Sequence, residues 1–597
     1  MSRKTSIVVL TYNELSFTEQ CLESIRAHTD PDHYELIVVD NASTDGTREW
    51  LTAQSGIKLL LNDDNKGFPA GCNQGVALAE PGNDILLLNN DTIVTENWLL
   101  GLQAALHSSD TVGAVGPITN YAMYNQSIPV SYSSLQEMHA FARTVSETAL
   151  DQPYERRLKL IGFCYLIKRE ALNQVGLLDE RFTPGNYEDD DYSFRLLENG
   201  YELLLCHNVF IHHYGGTSFG KQPEQFSHYL TRNNKLFEEK WGFNSIYSSY
   251  MRNEIISLMQ SSRKSPIRVL EVGCACGGTL LKIKHLYPEA ELYGIELNEA
   301  SARIAATFAN VRAENIEHEL SFPEEFFDYI VFADVLEHLY DPWKVLQNMI
   351  GHLKPRGAML VSLPNVMHHS VLKDLLNGNW TYADAGLLDR THVRFFTKTE
   401  MIRMFRDVGF NQILVGQNRQ LLDEEQAAFI QSLKPLSTAA DFEEQAQTYQ
   451  YFFRLKPLTA SAELEHLIGE LDSPQPSLTL IEELAAEMER DVALAEQAKR
   501  LIRSGASNSV HILNALAITF YDRGSLDFIV PLLHEALILE PDNSSTLFNM
   551  GAILYQASEY ELALSYLERI ESSDEGFLAL LHDARARLAE QGEKQEV

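Results

Sequence analysis

Basic residues are in short supply in this chain. Lys and Arg number 48 against 83 Asp and Glu in 597 residues, a formal net charge of −35. Such a surface repels phosphate, which makes it a poor non-specific partner for nucleic acid and for anionic membranes. Cysteine is scarce as well. Six cysteines are too few for a disulfide scaffold, and Cys274 and Cys276 are one residue apart, where a zinc or redox motif has two between its thiols. A reducing compartment is the natural setting. No apolar run reaches the ~18 residues of a membrane span. The N-terminus enters a strand-like segment directly, without a signal-peptide core. The expectation is a cytoplasmic protein, or one peripheral to the inner face of the cell membrane, with no transmembrane segment. A composition of 45% hydrophobic and 22% charged residues excludes global disorder. The length corresponds to about three to six domains.

Three textures succeed one another. Residues 1–255 alternate short apolar runs with polar clusters, residues 256–456 repeat that style, and residues 457–597 are rich in Leu, Ala and Glu. The predicted architecture is two α/β domains followed by a helical region. SSRKSP (261–266) and LDSPQPSL (471–478) read as linkers or bridges.

In the first region SIVVLTYNE (6–14), ELIVVDNASTDGT (35–47) and DILLLNNDT (84–92) are apolar strands that end in polar residues. Runs buried on both faces suit parallel strands, and such sheets bind ligands beyond their carboxyl ends. Asp40 can take hydroxyls or a base edge there, and Asp91 can hold a hard divalent cation. Seven motifs carry a resemblance: VVLTYN (8–13), VVDNASTDGT (38–47), NKGFPAGCNQG (65–75), LLLNNDT (86–92), GFCYLIKREAL (162–172), NYEDDDYSFRL (186–196) and FIHHYGGTSF (210–219). Together they resemble inverting family-2 glycosyltransferases of the GT-A type, in the style of the rhamnosyltransferase-like branch. The resemblance implies that Thr11, Asn13, Asp40 and Asn41 face a nucleotide, and that Gly67, Phe68 and Asn73 line the same pocket. It assigns Asp91 to Mn²⁺ or Mg²⁺, with one carboxylate where the family has two. His213, or adjacent His212, would face the metal or diphosphate. Asp189, within Glu188-Asp189-Asp190-Asp191, would be the catalytic base, since an inverting transfer needs one carboxylate to take the acceptor's proton. Asp191 and Arg195 would hold the loop and helix, and His207 reads as a loop histidine.

The second region opens with IRVLEVGCACGGTLLKI (267–283), a strand, glycine turn and helix, followed by ELYGIELN (291–298). Glycines allow close approach of a cofactor, and an acid after the next strand can bind ribose hydroxyls. NAD binding stays open on those grounds alone. FDYIVFADVLEHLYDP (327–342), HLKPRGAMLVSLPN (352–365) and DRTHVRFFT (389–397) then resemble class I S-adenosylmethionine-dependent methyltransferases. The resemblance implies that Glu271, Gly273 and Gly277 cradle the methionine part, with Ala275 where the family has a glycine. Glu296 would take the ribose, Asn315 and Ile316 would lie near adenine, and Asp334 at the sulfonium end. His338 and His392 are the candidate bases for a hydroxyl acceptor. His368-His369 lacks metal-ligand spacing and is expected to be exposed.

In the third region Ala517 aligns with Gly551 at an offset of 34, Phe520 with Leu554 and Tyr521 with Tyr555. That period resembles the tetratricopeptide repeat, which implies a protein partner or self-association. The reading is thus a bifunctional enzyme of polysaccharide or glycoprotein biosynthesis. It would transfer sugar from a nucleoside-diphosphate-sugar to a glycan or glycoprotein and methylate a hydroxyl. Two alternatives remain: a glycosyltransferase whose methyltransferase-like domain only binds cofactor, and a non-catalytic adaptor acting through its repeats.

Overall fold

In the computed structural model every residue is described except 1–3, 149–152, 216–222, 319–321, 458–459, 473–476, 491 and 596–597. The chain divides into two compact units, Met1–Val408 with Ile413–Leu455, and Gly409–Gln412 with Lys456–Val597.

The first unit contains two sheets. The first is made of β1 (Thr5–Thr11), β2 (Tyr34–Asp40), β3 (Ile57–Leu61), β4 (Asp84–Asn89), β5 (Thr92–Ile93), β6 (Val112–Thr119), β7 (Tyr154–Arg157), β8 (Cys164–Ile167) and β9 (Glu202–His213). Its order is β3-β2-β1-β4-β8-β6-β9-β5, with β7 pairing β9. The pairs β1–β2, β1–β4 and β2–β3 are parallel, and β8 runs antiparallel to β4 and β6. The apolar runs seen in the sequence are these parallel strands; Ile7, Val9, Val38 and Leu86 are fully buried or nearly so. Parallel registration puts Thr11 opposite Asp40 and Leu10 opposite Asn89, so three polar strand ends emerge along one edge.

The second sheet comprises β10 (Arg268–Val272), β11 (Glu291–Glu296), β12 (Asn310–Ala313), β13 (Phe327–Ala333), β14 (Leu353–Pro364), β15 (Phe410–Arg419) and β16 (Thr448–Pro457). Its order is β12-β11-β10-β13-β14-β16-β15. The strands β12 to β14 are parallel, and β16 returns antiparallel to β14. The order reverses at β10, where an open parallel sheet offers its crevice to a ligand.

The two sheets share interior. Cys276, Leu281 and Ile304 of the second belong to one buried cluster with Phe194, Phe237 and Trp241 of the first. A charged hub lies on the same seam. Glu155 on β7 pairs with Arg157 Nε (3.0 Å) and His207 Nε2 (2.9 Å) on its own side. It also takes Lys282 Nζ at 2.9 Å from the helix Gly278–Leu286 of the other. His207 lies within β9 and not in the loop expected for it near a strand, and its ring meets the buried Glu155 carboxylate. Burial raises the Glu155 pKa, but His207, Arg157 and Lys282 outweigh it and hold the carboxyl down to about 2.

The second unit is helical: Ala460–Leu471, Leu478–Arg490, Val492–Gly505, Ser509–Arg523, Ile529–Leu539, Ser544–Gln556, Tyr560–Leu567 and Glu575–Gln595. Leu484, Leu513, Leu516, Phe520 and Leu533 form its core. Among the described residues no helix is long and apolar enough to cross a membrane.

A carboxylate whose pKa is lower folded than unfolded stabilises the fold above its unfolded pKa and loses that effect as pH falls. Glu155→Ala strands Arg157 and Lys282 in the seam, and the expected cost is about 3 kcal/mol. In the parent chain the contribution of Glu155 fades between about pH 4.5 and pH 2. Thermal melts of both proteins at pH 7 and pH 3 check this; the difference between them should shrink at the lower pH.

Candidate functional site

Asp40 closes β2 and is fully buried. Its Oδ2 accepts the Ser43 N–H (3.1 Å) and lies 3.7 Å from Arg48 Nε, while Oδ1 is buried with no protein partner. An unpaired buried carboxylate oxygen is costly, and the hydroxyls or ring N–H of a nucleotide would satisfy it. Asn13 has a left-handed backbone (φ 58°) and ties two loops together. Its N–H donates to Ser43 Oγ (2.7 Å) and its Oδ1 accepts from Thr44 N (2.8 Å). Thr11 Oγ1 lies 2.9 Å from Thr18 Oγ1. Asn41 donates to the Gly67 carbonyl (3.1 Å) and accepts from Asn62. Gly67 has φ 82°, and a Cβ there would fall 2.1 Å from Thr183 Oγ1. Phe68 lines a small apolar hollow with Leu87, Tyr165 and Asp189. Asn73 is drawn elsewhere: its amide bonds Leu178 on both sides and donates to Glu180, so it braces the 178–180 loop.

Asp91 follows β4, and pairing of β5 with β9 sets Thr92 opposite His213. His213 Nε2 thereby stands 3.3 Å from Asp91 Oδ1. The ring's Nδ1–H donates to the Tyr121 carbonyl (2.8 Å) and its face stacks on Phe163 at 5.0 Å. That bond holds the proton on Nδ1 and leaves the Nε2 lone pair facing Asp91, the arrangement that orients metal-bound histidines. Asn89 Oδ1 is also buried without a protein partner. These donors fit a divalent cation. His212 points its Nδ1 at Tyr132 Oη instead, at 2.6 Å, and burial lowers its pKa. Residues 216–219 of the last motif lie outside the described residues.

Asp189 is partly exposed at the start of the helix Glu188–Glu198. Its Oδ2 accepts the Gly162 N–H (2.8 Å), and Oδ1 accepts from Asp190 N (2.9 Å). Burial and the neighbouring Asp190 push its carboxyl up to about 6, against the pull of Gly162 and Lys159. Its neighbours have other work. Asp190 takes Lys159 Nζ and Ser245 Oγ. Asp191 takes Arg195, Trp241 and Lys240.

In the second sheet the turn after β10 has left-handed φ at Gly273 (69°), Ala275 (47°) and Gly277 (83°). A Cβ on Gly273 would lie 2.6 Å from Val335 Cγ2, and one on Gly277 2.6 Å from Phe308 Cζ. Glu271 is buried with Oε2 unpartnered, and burial pushes its carboxyl up to about 8. A cationic ammonium would restore its charge, which is the chemistry a methionine moiety brings. Glu296 accepts Ala275 N–H (2.7 Å) and Asn298 N–H (2.8 Å) at the tip of β11. Asn315 Oδ1 caps Glu317 N, and Ile316 is buried beside it. Asp334, with φ 55°, pairs with Arg252 Nη1 at 2.6 Å and accepts from Ser362 Oγ. His338 and His392 meet edge-on, with ring centroids 4.7 Å apart. His368 and His369 correct an expectation: both are buried, at 2% and 5% exposure. His368 caps the helix His369–Leu376 and packs on Tyr449, which draws the pair inward.

Lys159, Ser245 and Arg252 lie outside the motifs, and Glu337, although inside FDYIVFADVLEHLYDP, was given no role from the sequence. Only Lys159 leaves a trace there, as a lone charge in the apolar run LKLIGFCYLI.

Residues 6–176 match the family described as glycosyl transferase family 2, and residues 243–415 match a methyltransferase domain. The chain carries both domains, and both families are transferases. Glycosyltransferase AglE of Haloferax volcanii is 25% identical over 34% of this chain; the chain covers 64% of that relative's length. An N-acetylglucosaminyl-diphospho-decaprenol L-rhamnosyltransferase of Mycobacterium tuberculosis is 27% identical over 36% of this chain and 78% of its own. A malonyl-[acyl-carrier protein] O-methyltransferase of Bacillus anthracis is 33% identical over 17% of this chain and 39% of its own.

The role expected of Asp189, a catalytic base, requires it deprotonated, so a rate that depends on it should fall with one proton as pH drops below about 6. Asp189→Asn should lose about 10³-fold or more in kcat and retain nucleotide binding. A pH–rate profile with an unbroken plateau to pH 5 would contradict the assignment.

Proposed function

We propose that the chain is a bifunctional transferase that glycosylates and methylates one acceptor. One observation carries the first half. Gly162 holds Asp189 while the adjacent Phe163 stacks on His213, which faces Asp91. The proposed base and the histidine of the proposed cation site are therefore braced by consecutive residues of one turn, at the edge where Asp40 keeps an unpartnered oxygen.

In this reading Asp40 and the loop tied by Asn13 bind the nucleoside. Asp91 and His213 would hold Mn²⁺ or Mg²⁺, which neutralises the diphosphate when bound. Asp189 removes the proton from the acceptor hydroxyl. The hydroxyl oxygen forms the new bond to the anomeric carbon from the face opposite the nucleoside diphosphate, which departs, and the configuration inverts. In the second domain S-adenosylmethionine, when bound, supplies an electrophilic methyl group. Glu271, the glycine turn and Glu296 hold it, and His338 and His392 face the acceptor hydroxyl. Methyl transfer is mainly a matter of alignment, so the rigid loops do most of what the protein must do.

The helical unit supports a repeat reading. Asn514 donates to Thr546, Asn549 donates to Asn514 and Tyr521 donates to Gln556, bonds between positions 32 to 35 apart. Equivalent helices stacked in this way suit a tetratricopeptide-like surface that binds a protein acceptor or a second copy, in a cytoplasmic enzyme.

The test is donor turnover. Purified chain with Mn²⁺ and a panel of nucleotide sugars should release nucleotide from one donor, and Asp189→Asn or a chelator should stop it. Added S-adenosylmethionine should then methylate the glycosylated acceptor. Methylation only of an unrelated molecule would contradict the shared acceptor, and donor cleavage indifferent to Asp189→Asn would contradict the first half.

A further inference from the structure

Two clusters of carboxylate and imidazole groups stand out among the described residues: Glu155 with His207 and His285, and Glu337 with His338 and His392. The first is already compensated. Lys282 and Arg157 occupy the Glu155 carboxylate, and a cation would have to displace them.

The second cluster is built differently. Glu337 is 1% exposed, and its Oε2 is buried with no protein partner. Nearby acids are committed: Asp334 to Arg252 and Ser362, and Asp389 to the N–H and hydroxyl of Thr391. Glu337 is thus the carboxylate left to meet a ligand. Both histidines are held through Nδ1. His338 Nδ1 lies 3.2 Å from the Thr391 carbonyl, and His392 Nδ1 lies 3.2 Å from the Leu387 carbonyl. A carbonyl only accepts, so each Nδ1 carries the proton and each Nε2 keeps its lone pair. That tautomer, fixed by a backbone oxygen, is the one metal-binding histidines use. The three groups offer ligand atoms within 4.8 Å of one another. They are brought together from two separate segments of the domain: Val393 and Arg394 N–H donate to the Glu337 carbonyl at 2.9 and 3.0 Å, locking the loop that bears His392 onto the turn that bears Glu337 and His338.

We propose that Glu337, His338 and His392 form a divalent-cation site beside Asp334, and that the cation takes the acceptor's hydroxyl oxygen as a further ligand. Two imidazoles and one carboxylate suit a first-row ion such as Mn²⁺, Co²⁺ or Zn²⁺ and leave positions open for substrate. A cation there lowers the pKa of the hydroxyl it binds. The hydroxyl proton goes to solvent, its oxygen forms the new bond to the methyl carbon, the carbon–sulfur bond breaks, and the sulfonium becomes a neutral thioether. The transfer step rests on the methyltransferase reading above; the binding of the cation does not. The site also selects a substrate class, a hydroxyl flanked by a second oxygen that can chelate, as in a sugar diol.

Mn²⁺ uptake by the full chain tests this, read by calorimetry and by the electron paramagnetic resonance of free Mn²⁺. Asp91→Asn removes the other candidate cation site. The Asp91→Asn chain should still bind one Mn²⁺, and adding His392→Ala or Glu337→Gln should weaken that binding at least tenfold. Thermal melts without metal establish that each variant folds, and His338→Ala provides a second ligand deletion should His392→Ala unfold. Binding of S-adenosylhomocysteine, measured separately, should survive in Glu337→Gln. No Mn²⁺ bound by the Asp91→Asn chain, or uptake unchanged by both histidine deletions, would overturn the site. Loss of S-adenosylhomocysteine binding in the parent chain would instead overturn the methyltransferase reading and leave the Mn²⁺ result standing.

Discussion

Lys159 takes a positive charge into the seam between the two sheets, and much of the structure depends on how that charge is met. Its ammonium is 2.8 Å from both Asp190 Oδ2 and Ser245 Oγ and lies 3.2 Å from the centre of the Tyr124 ring. Burial lowers its pKa, and Asp190 works against that loss. A buried charge without its partner costs several kcal/mol. The pair therefore fixes three things together: the run leading to Gly162, the loop that presents Asp189, and Ser245 at the head of the segment that enters the second domain. From Ser245 the chain continues straight into the second site. The Ser248 carbonyl accepts Cys276 N–H (3.0 Å) in the glycine turn, and Arg252 donates to Thr279 and pairs with Asp334. The segment that braces the Asp189 loop through Ser245 is thus continuous with the one packing on the glycine turn and on Asp334.

Parts of this were legible in the sequence and parts were not. The apolar runs ending in polar clusters marked β1, β2 and β4, because a strand buried on both faces has no polar position until its end. The register of β1 with β2 and β4 then follows from parallel pairing, and the polar ends converge. Asp91 and His213 are 122 residues apart, and only the motif resemblance linked them; β5–β9 pairing brings them to 3.3 Å. Ion-pair partners left no such signal. Nothing in the local spacing of Glu155 points to Lys282, and nothing near Arg252 points to Asp334, since burial of a charge depends on which surfaces meet. The same reason explains His368 and His369: two adjacent polar rings read as surface, whereas His368 packs on Tyr449 and His369 on His368.

The acidic balance of the whole chain also acquires a local meaning. The carboxylates at the candidate positions are not a diffuse negative surface. Asp40, Glu271 and Glu337 each keep a buried oxygen without a protein partner. Buried polar atoms are almost always satisfied, and exceptions mark places where something else completes the set. A nucleotide, an ammonium group and a cation are the natural complements to the three. Elsewhere, as at Glu155 and Asp190, the interior supplies the cation itself, and the carboxylate serves packing rather than chemistry.

The shared interior makes the two sheets one cooperative body, so that a ligand of one should stabilise the other. Native-state hydrogen exchange in rising urea, with and without S-adenosylhomocysteine, tests it most directly. At a ligand concentration 100 times its Kd, the opening free energy should rise by about 2.7 kcal/mol in the strand Arg268–Val272 and equally in Thr5–Thr11. A rise confined to Arg268–Val272, with Thr5–Thr11 unchanged, would contradict the account.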